Sequence, residues 1–99
     1  MEREALSILS LSNKAGALVS GEEAVVESIK EGKALLVIVA ADASVNTKKR
    51  LRDKASYRRV EFLEFGSKES LGRAIGKEER SGIALTDEGL KKLFLLKLD

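Results

Sequence analysis

The chain has 99 residues, 43% of them hydrophobic and 34% charged, with a formal net charge of +2, which fits one domain that buries about two-thirds of its unfolded surface. It contains no Cys and no His, so disulfides, thiolate catalysis, cysteine metal sites and the usual general base are excluded together. The longest uninterrupted apolar run, Ala34 to Ala41, is far short of the ~20 residues of a membrane helix. The N-terminal MEREALS is acidic and polar, unlike a signal or transit peptide. The expectation is one soluble, cytoplasmic domain over residues 1–99, monomeric, with no metal, no cofactor and no small-molecule substrate.

In chain order, residues 3–14 read as a helix with Leu6 and Leu9 inward and Gly16 as its stop. Ala17-Leu18-Val19 is a short strand. Ser20-Gly21-Glu22-Glu23 has the spacing of a capping box, Ser20 facing the amide three residues on and Glu23 reaching back. The helix that follows keeps Val25, Val26 and Ile29 for the core and ends near Gly32. Leu35 to Ala40 is an unbroken aliphatic run, the pattern of a central strand covered on both faces. Asp42 and Ser44 are helix-start residues for a third helix to about Ser56. Arg59 to Phe65 alternates imperfectly, as an edge strand does. Ser67 caps a helix from Lys68 to Ile75, and Gly76 is its left-handed terminator. Ile83-Ala84-Leu85 is the last strand, and Thr86-Asp87-Glu88 opens a final helix packed through Leu90, Leu93 and Phe94. Alternating helices and strands predict a three-layer α/β/α sandwich on a sheet of about four strands.

Two patterns invite a catalytic or nucleotide reading and fail it. Gly72-Arg73-Ala74-Ile75-Gly76-Lys77 has three residues between its glycines and Glu78 after the lysine, where a phosphate loop needs four and a hydroxyl. Helix packing at Gly72 and helix termination at Gly76 account for it. The acidic pairs Glu22/Glu23 and Glu78/Glu79 are adjacent in sequence, whereas acid–base chemistry needs two carboxylates in different environments. At a helix start the dipole alone explains such residues.

The strongest charge feature is KKRLRDKASYRR, residues 48–59, where seven basic residues face Asp53 alone. Lys48/Arg52 and Arg50/Lys54 are like-charge pairs one turn apart, and Lys49/Asp53 is the opposite pair. Two readings stand: a solvated helix face, or a surface for nucleic-acid phosphates. Only four residues are aromatic, too few for a base-stacking platform.

KAGALVSGEEAVVESIKEGKALLVIVAADAS, SKESLGRAIGK and ALTD together resemble the ribosomal L-seven-Ae and L-thirty-e proteins that bind kink-turn RNA, especially the short bacterial YlxQ-like members. The resemblance spans about residues 5–98 and is carried by Gly16, Gly21, Gly32, the strand ending before Asp42, and Leu71 to Lys77. It implies an α/β/α sandwich with a mixed sheet and an RNA binder without catalysis. It also implies that the start of the second helix enters the groove of a bent duplex beside sheared G·A pairs. In this chain that place is Ser20-Gly21-Glu22-Glu23-Ala24, followed one turn on by Glu27. The implied covering loop for a flipped bulge base falls on Glu79-Arg80-Ser81-Gly82, and Lys14 matches a basic position at the rim. Within that frame Glu23-Ala24 stands where the family usually has Asn-Glu, Glu27 where it has Lys, Ala41 where it has Glu, and Ser81-Gly82 where apolar residues are expected. A carboxylate at Glu23 still accepts guanine N–H groups. The alternative function is a protein–protein adaptor on the same fold, with the basic helix of residues 48–59 as its working face. An unrimmed acidic surface at Glu22, Glu23 and Glu27 would favour it.

Overall fold

In the computed structural model, which describes residues 2–98, five helices alternate with four strands: α1 (Glu2–Lys14), β1 (Leu18–Ser20), α2 (Glu22–Lys30), β2 (Leu36–Val39), α3 (Val45–Tyr57), β3 (Glu61–Glu64), α4 (Lys68–Ala74), β4 (Gly82–Leu85) and α5 (Glu88–Lys97). Short polar residues start three of the helices. Ser44 Oγ accepts from Thr47 N at 3.1 Å at the head of α3. Ser67 and Ser70 form a reciprocal box at the head of α4, and Asp87 Oδ2 accepts from Leu90 N at 2.9 Å at the head of α5. Such caps satisfy amides that have no partner within the helix. Asp42 does not start α3. Its carboxylate accepts from Lys68 N at 2.8 Å and so serves α4 instead.

The strands form one mixed sheet in the order β1-β4-β2-β3, with β1 and β2 antiparallel to β4 and β3 parallel to β2. The parallel pair requires a crossover, and α3 supplies it. All four residues of β2 and all four of β4 are buried, as inner strands between two helical layers must be. β1 and β3 are the edge strands, and β3 leaves Glu61 and Glu64 exposed. Helices α2 and α3 pack together on one face of the sheet, and α1 packs with α4 and α5 on the other. Phe94 is fully buried and meets Phe65 edge-on at 5.3 Å. The expected three-layer α/β/α sandwich with a four-stranded mixed sheet is therefore the observed architecture. Within it, no helix of the described residues is long and apolar enough to cross a membrane.

Two glycines fix how the loop after α4 approaches the sheet. A Cβ on Gly72 would stand 2.0 Å from the Glu78 carbonyl oxygen, so only glycine lets that loop lie against α4. A Cβ on Gly82 would stand 2.7 Å from Leu51 Cδ1, which places this position of β4 against α3. Gly72 is thus a packing residue inside a helix, and Gly76, at φ 70°, follows that helix as its left-handed end.

Candidate functional site

The exit of β1 and the entry of α2 differ from the expected capping box. Ser20 is a strand residue paired with Ile83, not a cap. With its backbone committed to the sheet ladder, its hydroxyl accepts from Arg80 Nε at 3.2 Å. The N-cap is Gly21, at φ 98° and ψ 144°, and it offers no side-chain acceptor. That backbone conformation is open to glycine and strained for other residues. Gly21 N donates to Gly82 O at 3.0 Å, which ties the head of α2 to the first residue of β4. The first-turn amides of α2 are therefore left without a side-chain cap, and a helix start in that state carries a partial positive charge directed outwards.

The loop from Lys77 to Ser81 lies beside this helix start. Lys77 N donates to Gly72 O at 2.9 Å and Arg80 N to Lys68 O at 3.0 Å, so its backbone is fastened to α4 at two points. The half-buried Arg80 also folds Nη1 onto Glu79 O at 3.0 Å. Ser81 O accepts from Ala40 N at 2.9 Å. Glu79 is exposed at the tip. Gly82, expected in the covering loop, is instead the buried first residue of β4, opposite Val39. The space a side chain would need there is filled by Leu51 and Val25, so Gly82 has no exposed face.

Sequence spacing does not reveal the main electrostatic feature of the site. Arg50, on α3, holds both carboxylates at the start of α2. Its Nη1 is 2.8 Å from Glu22 Oε2 and 2.5 Å from Glu23 Oε2, and its Nη2 is 3.1 Å from Glu23 Oε1. Thr47 Oγ1 donates to the second oxygen of Glu22 at 2.9 Å and accepts from Ser44 Oγ at 3.0 Å. The hydrogen bond and charge of Arg50 hold the Glu23 carboxyl below its ordinary range, and Glu23 and Glu22 in turn push the Arg50 guanidinium upward. No local signal exists for this cluster, because its partners lie 27 and 28 positions apart. Two neighbours on α3 are answered as well, Lys48 by Glu64 at 3.2 Å and Lys49 by Asp53 at 2.6 Å. The basic run is therefore partly neutralised, once by its own Asp53 and otherwise by carboxylates of β3 and α2.

The structure thus brings Ser20, Gly21, Glu22, Glu23, Glu79, Arg80, Ser81 and Gly82 to one end of the molecule around the uncapped start of α2. Glu27 is exposed on the β1-facing flank of α2, in a depression shared with Gly16, Val19 and Ala24. Lys14 is exposed at the end of α1, ahead of β1, and among the described residues makes no ion pair. Among the same residues no group of three or more acidic side chains could hold a metal ion.

Residues 3–95 match the family described as "Ribosomal protein L7Ae/L30e/S12e/Gadd45". The chain is similar to the RNA-binding protein YlxQ of Bacillus subtilis (strain 168), 41% identical over 93% of this chain and 92% of that one. It is also similar to the large ribosomal subunit protein eL30 of Saccharomyces cerevisiae, 34% identical over 76% and 72% of the two chains. Among solved structures, a protein of unknown function from Bacillus halodurans superposes with a TM-score of 0.90 at 40% identity, covering 97% and 98% of the two chains. The Giardia lamblia 15.5kD RNA binding protein superposes with a TM-score of 0.82 at 25% identity, covering 95% and 81%. With its sheet order, its glycine frame and these matches in agreement, the chain belongs to the ribosomal protein L7Ae/L30e/S12e/Gadd45 family.

Proposed function

We propose that this protein is a non-enzymatic RNA-binding protein that recognises a structured, kink-turn-like RNA element through the start of α2 and the adjoining loop of residues 77–81. The observation that carries this reading is the uncapped helix start at Gly21, tied to Gly82 and flanked by Arg80. Free amides at a helix N-terminus attract phosphate, and Arg80 stands beside them with Ser81 on the same loop. The names of its relatives, RNA-binding proteins and a ribosomal protein, support RNA as the ligand. The protein acts as a monomer in the cytoplasm, on ribosomal or regulatory RNA.

The adaptor reading required carboxylates facing outward without a basic rim. Arg50 answers Glu22 and Glu23 and Arg80 stands on the adjoining loop, while Glu27 is unanswered among the described residues. With two of the three carboxylates held, the RNA reading is preferred. Fluorescence anisotropy with two duplexes tests it: one holding a bulge followed by sheared G·A pairs, the other with those pairs replaced by Watson–Crick pairs. Preference for the first by about tenfold or more, equivalent to ~1.4 kcal/mol, is expected. Equal affinity would reduce the protein to a generic polyanion binder, and no binding to either would return the adaptor reading.

A further inference from the structure

We propose that Arg50 is a positioning residue for RNA: it clamps Glu22 and Glu23 against α3, so that their carboxylates neither occupy nor electrostatically shield the open amides at the start of α2. The inference rests on the RNA reading of that surface and adds the device that makes the surface usable.

Two acidic residues stand in the first turn of α2. Unrestrained carboxylates there are drawn to the exposed amides by the helix dipole, and they repel any approaching phosphate. Glu23 instead receives both Nη groups of one guanidinium, a fork that fixes its orientation as well as its charge. Glu22 is held twice, by Arg50 Nη1 and by Thr47 Oγ1. Thr47 is in turn fixed by Ser44 at the capped head of α3, so the clamp is anchored on an element whose own start is secured. Arg50 and Glu22 are partly exposed, at 37% and 29% of their side chains, whereas Glu23 is open to solvent at 81%. The Glu22 arm is therefore somewhat less open to salt screening than the Glu23 arm, which is screened as a surface pair. One cation against two carboxylates leaves a residual of one negative charge. Without Arg50 the same spot would carry two, directly beside the phosphate-facing helix end.

The other cations of α3 do not share this arrangement. Lys48 and Lys49 pair with Glu64 and Asp53, away from the head of α2. Among the cations of α3 with a described ion pair, Arg50 is the one that reaches across to the functional surface.

The test measures binding of the wild type, Arg50→Ala, Arg50→Lys, and Arg50→Ala combined with Glu22→Gln and Glu23→Gln, on the bulged duplex and its Watson–Crick control. Arg50→Ala should weaken binding to the bulged duplex by about five- to tenfold at low salt, the difference shrinking as salt is raised. Both Glu23 oxygens are taken by Arg50, so in this arrangement Glu23 acts on RNA through its charge and not as a guanine acceptor. The triple variant should therefore bind more tightly than Arg50→Ala although it still lacks the arginine, a result that a merely structural role for Arg50 would not produce. Arg50→Lys should fall between, because an ammonium cannot make the fork. A pH series supplies a second readout. In Arg50→Ala the Glu23 carboxyl is released to its ordinary range, so the rise in affinity as pH falls from neutral towards that range should be larger in the variant than the background rise that the other exposed carboxylates of this surface give both proteins. Thermal melts of every variant show that each is folded. Wild-type affinity in Arg50→Ala, or a triple variant as weak as Arg50→Ala, overturns the clamp and leaves the RNA reading intact. A wild type that binds neither duplex overturns the RNA reading, and the clamp falls with it.

Discussion

Gly72→Ala is the substitution for which the structure gives the clearest energetic expectation. The new Cβ would stand 2.0 Å from Glu78 O, 2.7 Å from Glu78 C and 3.1 Å from Glu79 Cα, all backbone atoms. Reaching ordinary van der Waals separation takes roughly 1.5 Å of backbone movement. The loop cannot make that movement while keeping Lys77 N on Gly72 O and Arg80 N on Lys68 O. Overpacking costs about 1–3 kcal/mol, and breaking one such hydrogen bond adds about 1 kcal/mol. Against this, alanine gains up to about 1 kcal/mol over glycine in a helix interior. The net expectation is a destabilisation of about 2 kcal/mol, which for a domain of this size lowers Tm by roughly 10 °C. Urea unfolding followed by circular dichroism measures it, with the m-value as a check that the denatured state is unaltered. Gly82→Ala is the internal comparison. Its nearest obstacle is the Leu51 Cδ1 methyl at 2.7 Å, a side-chain tip that can rotate, so its cost should be smaller. A Gly72→Ala protein as stable as the wild type would refute the reasoning, because the loop would then not be fastened to α4 as described.

The order of the elements is legible in the sequence because nearly every boundary carries a residue with a mechanical reason to be there. Gly16, Gly32 and Gly76 all sit at positive φ after a helix, and Ser44, Ser67 and Asp87 each cap one. The buried run in β2 and the edge character of β3 also follow from residue pattern alone. Where local pattern misleads, the physical cause is the same each time. The Ser20-x-x-Glu23 spacing satisfies the local rule for a capping box, yet Ser20 is held by β4 and Arg80, and Glu23 by Arg50. Asp42 fits a helix start next to it in sequence, yet it serves α4, 26 residues away. Gly82 looks like a loop residue until Leu51 is found in the space beside it. In each case a tertiary partner prevails over a local one, and no window of sequence contains both. The same holds for the site. Its backbone frame at Gly21 is visible in the sequence, but the pairing that governs its charge belongs to α3.

Replacing Lys48, Lys49 and Arg52 together with alanine should leave the affinity for the bulged duplex within about twofold, since Lys48 and Lys49 are already paired. The salt slope should hold too, because it flattens by roughly one unit only for each lysine or arginine taken from a phosphate. A large drop in affinity in anisotropy titrations would put the binding face on α3 instead. Arg59 occupies the left-handed position after α3 at φ 60°, with Arg59 N on Ser56 O and Val60 N on Ala55 O. Arg59→Gly should therefore raise stability by about 0.5–1 kcal/mol in urea melts; a decrease would mean that the arginine side chain contributes more than its backbone costs. Asp42→Ala removes the carboxylate on Lys68 N and should cost about 1 kcal/mol, an effect that must persist when Ser67 is left intact, because the two caps serve different amides. The last test concerns Glu27, which is exposed on α2 one turn after Glu23, in the depression shared with Val19, and has no ion-pair partner among the described residues. Glu27→Lys converts a phosphate repulsion into an attraction one turn from the open amides, so affinity for the bulged duplex should rise by about 1 kcal/mol at moderate salt, with the slope against log salt steepening by about one unit. Stability should move by no more than ~0.5 kcal/mol at such a position, which separates the effect from folding. An equal gain on the Watson–Crick duplex would mean the residue meets RNA only through charge. No gain on either would show that this flank of α2 does not face RNA at all.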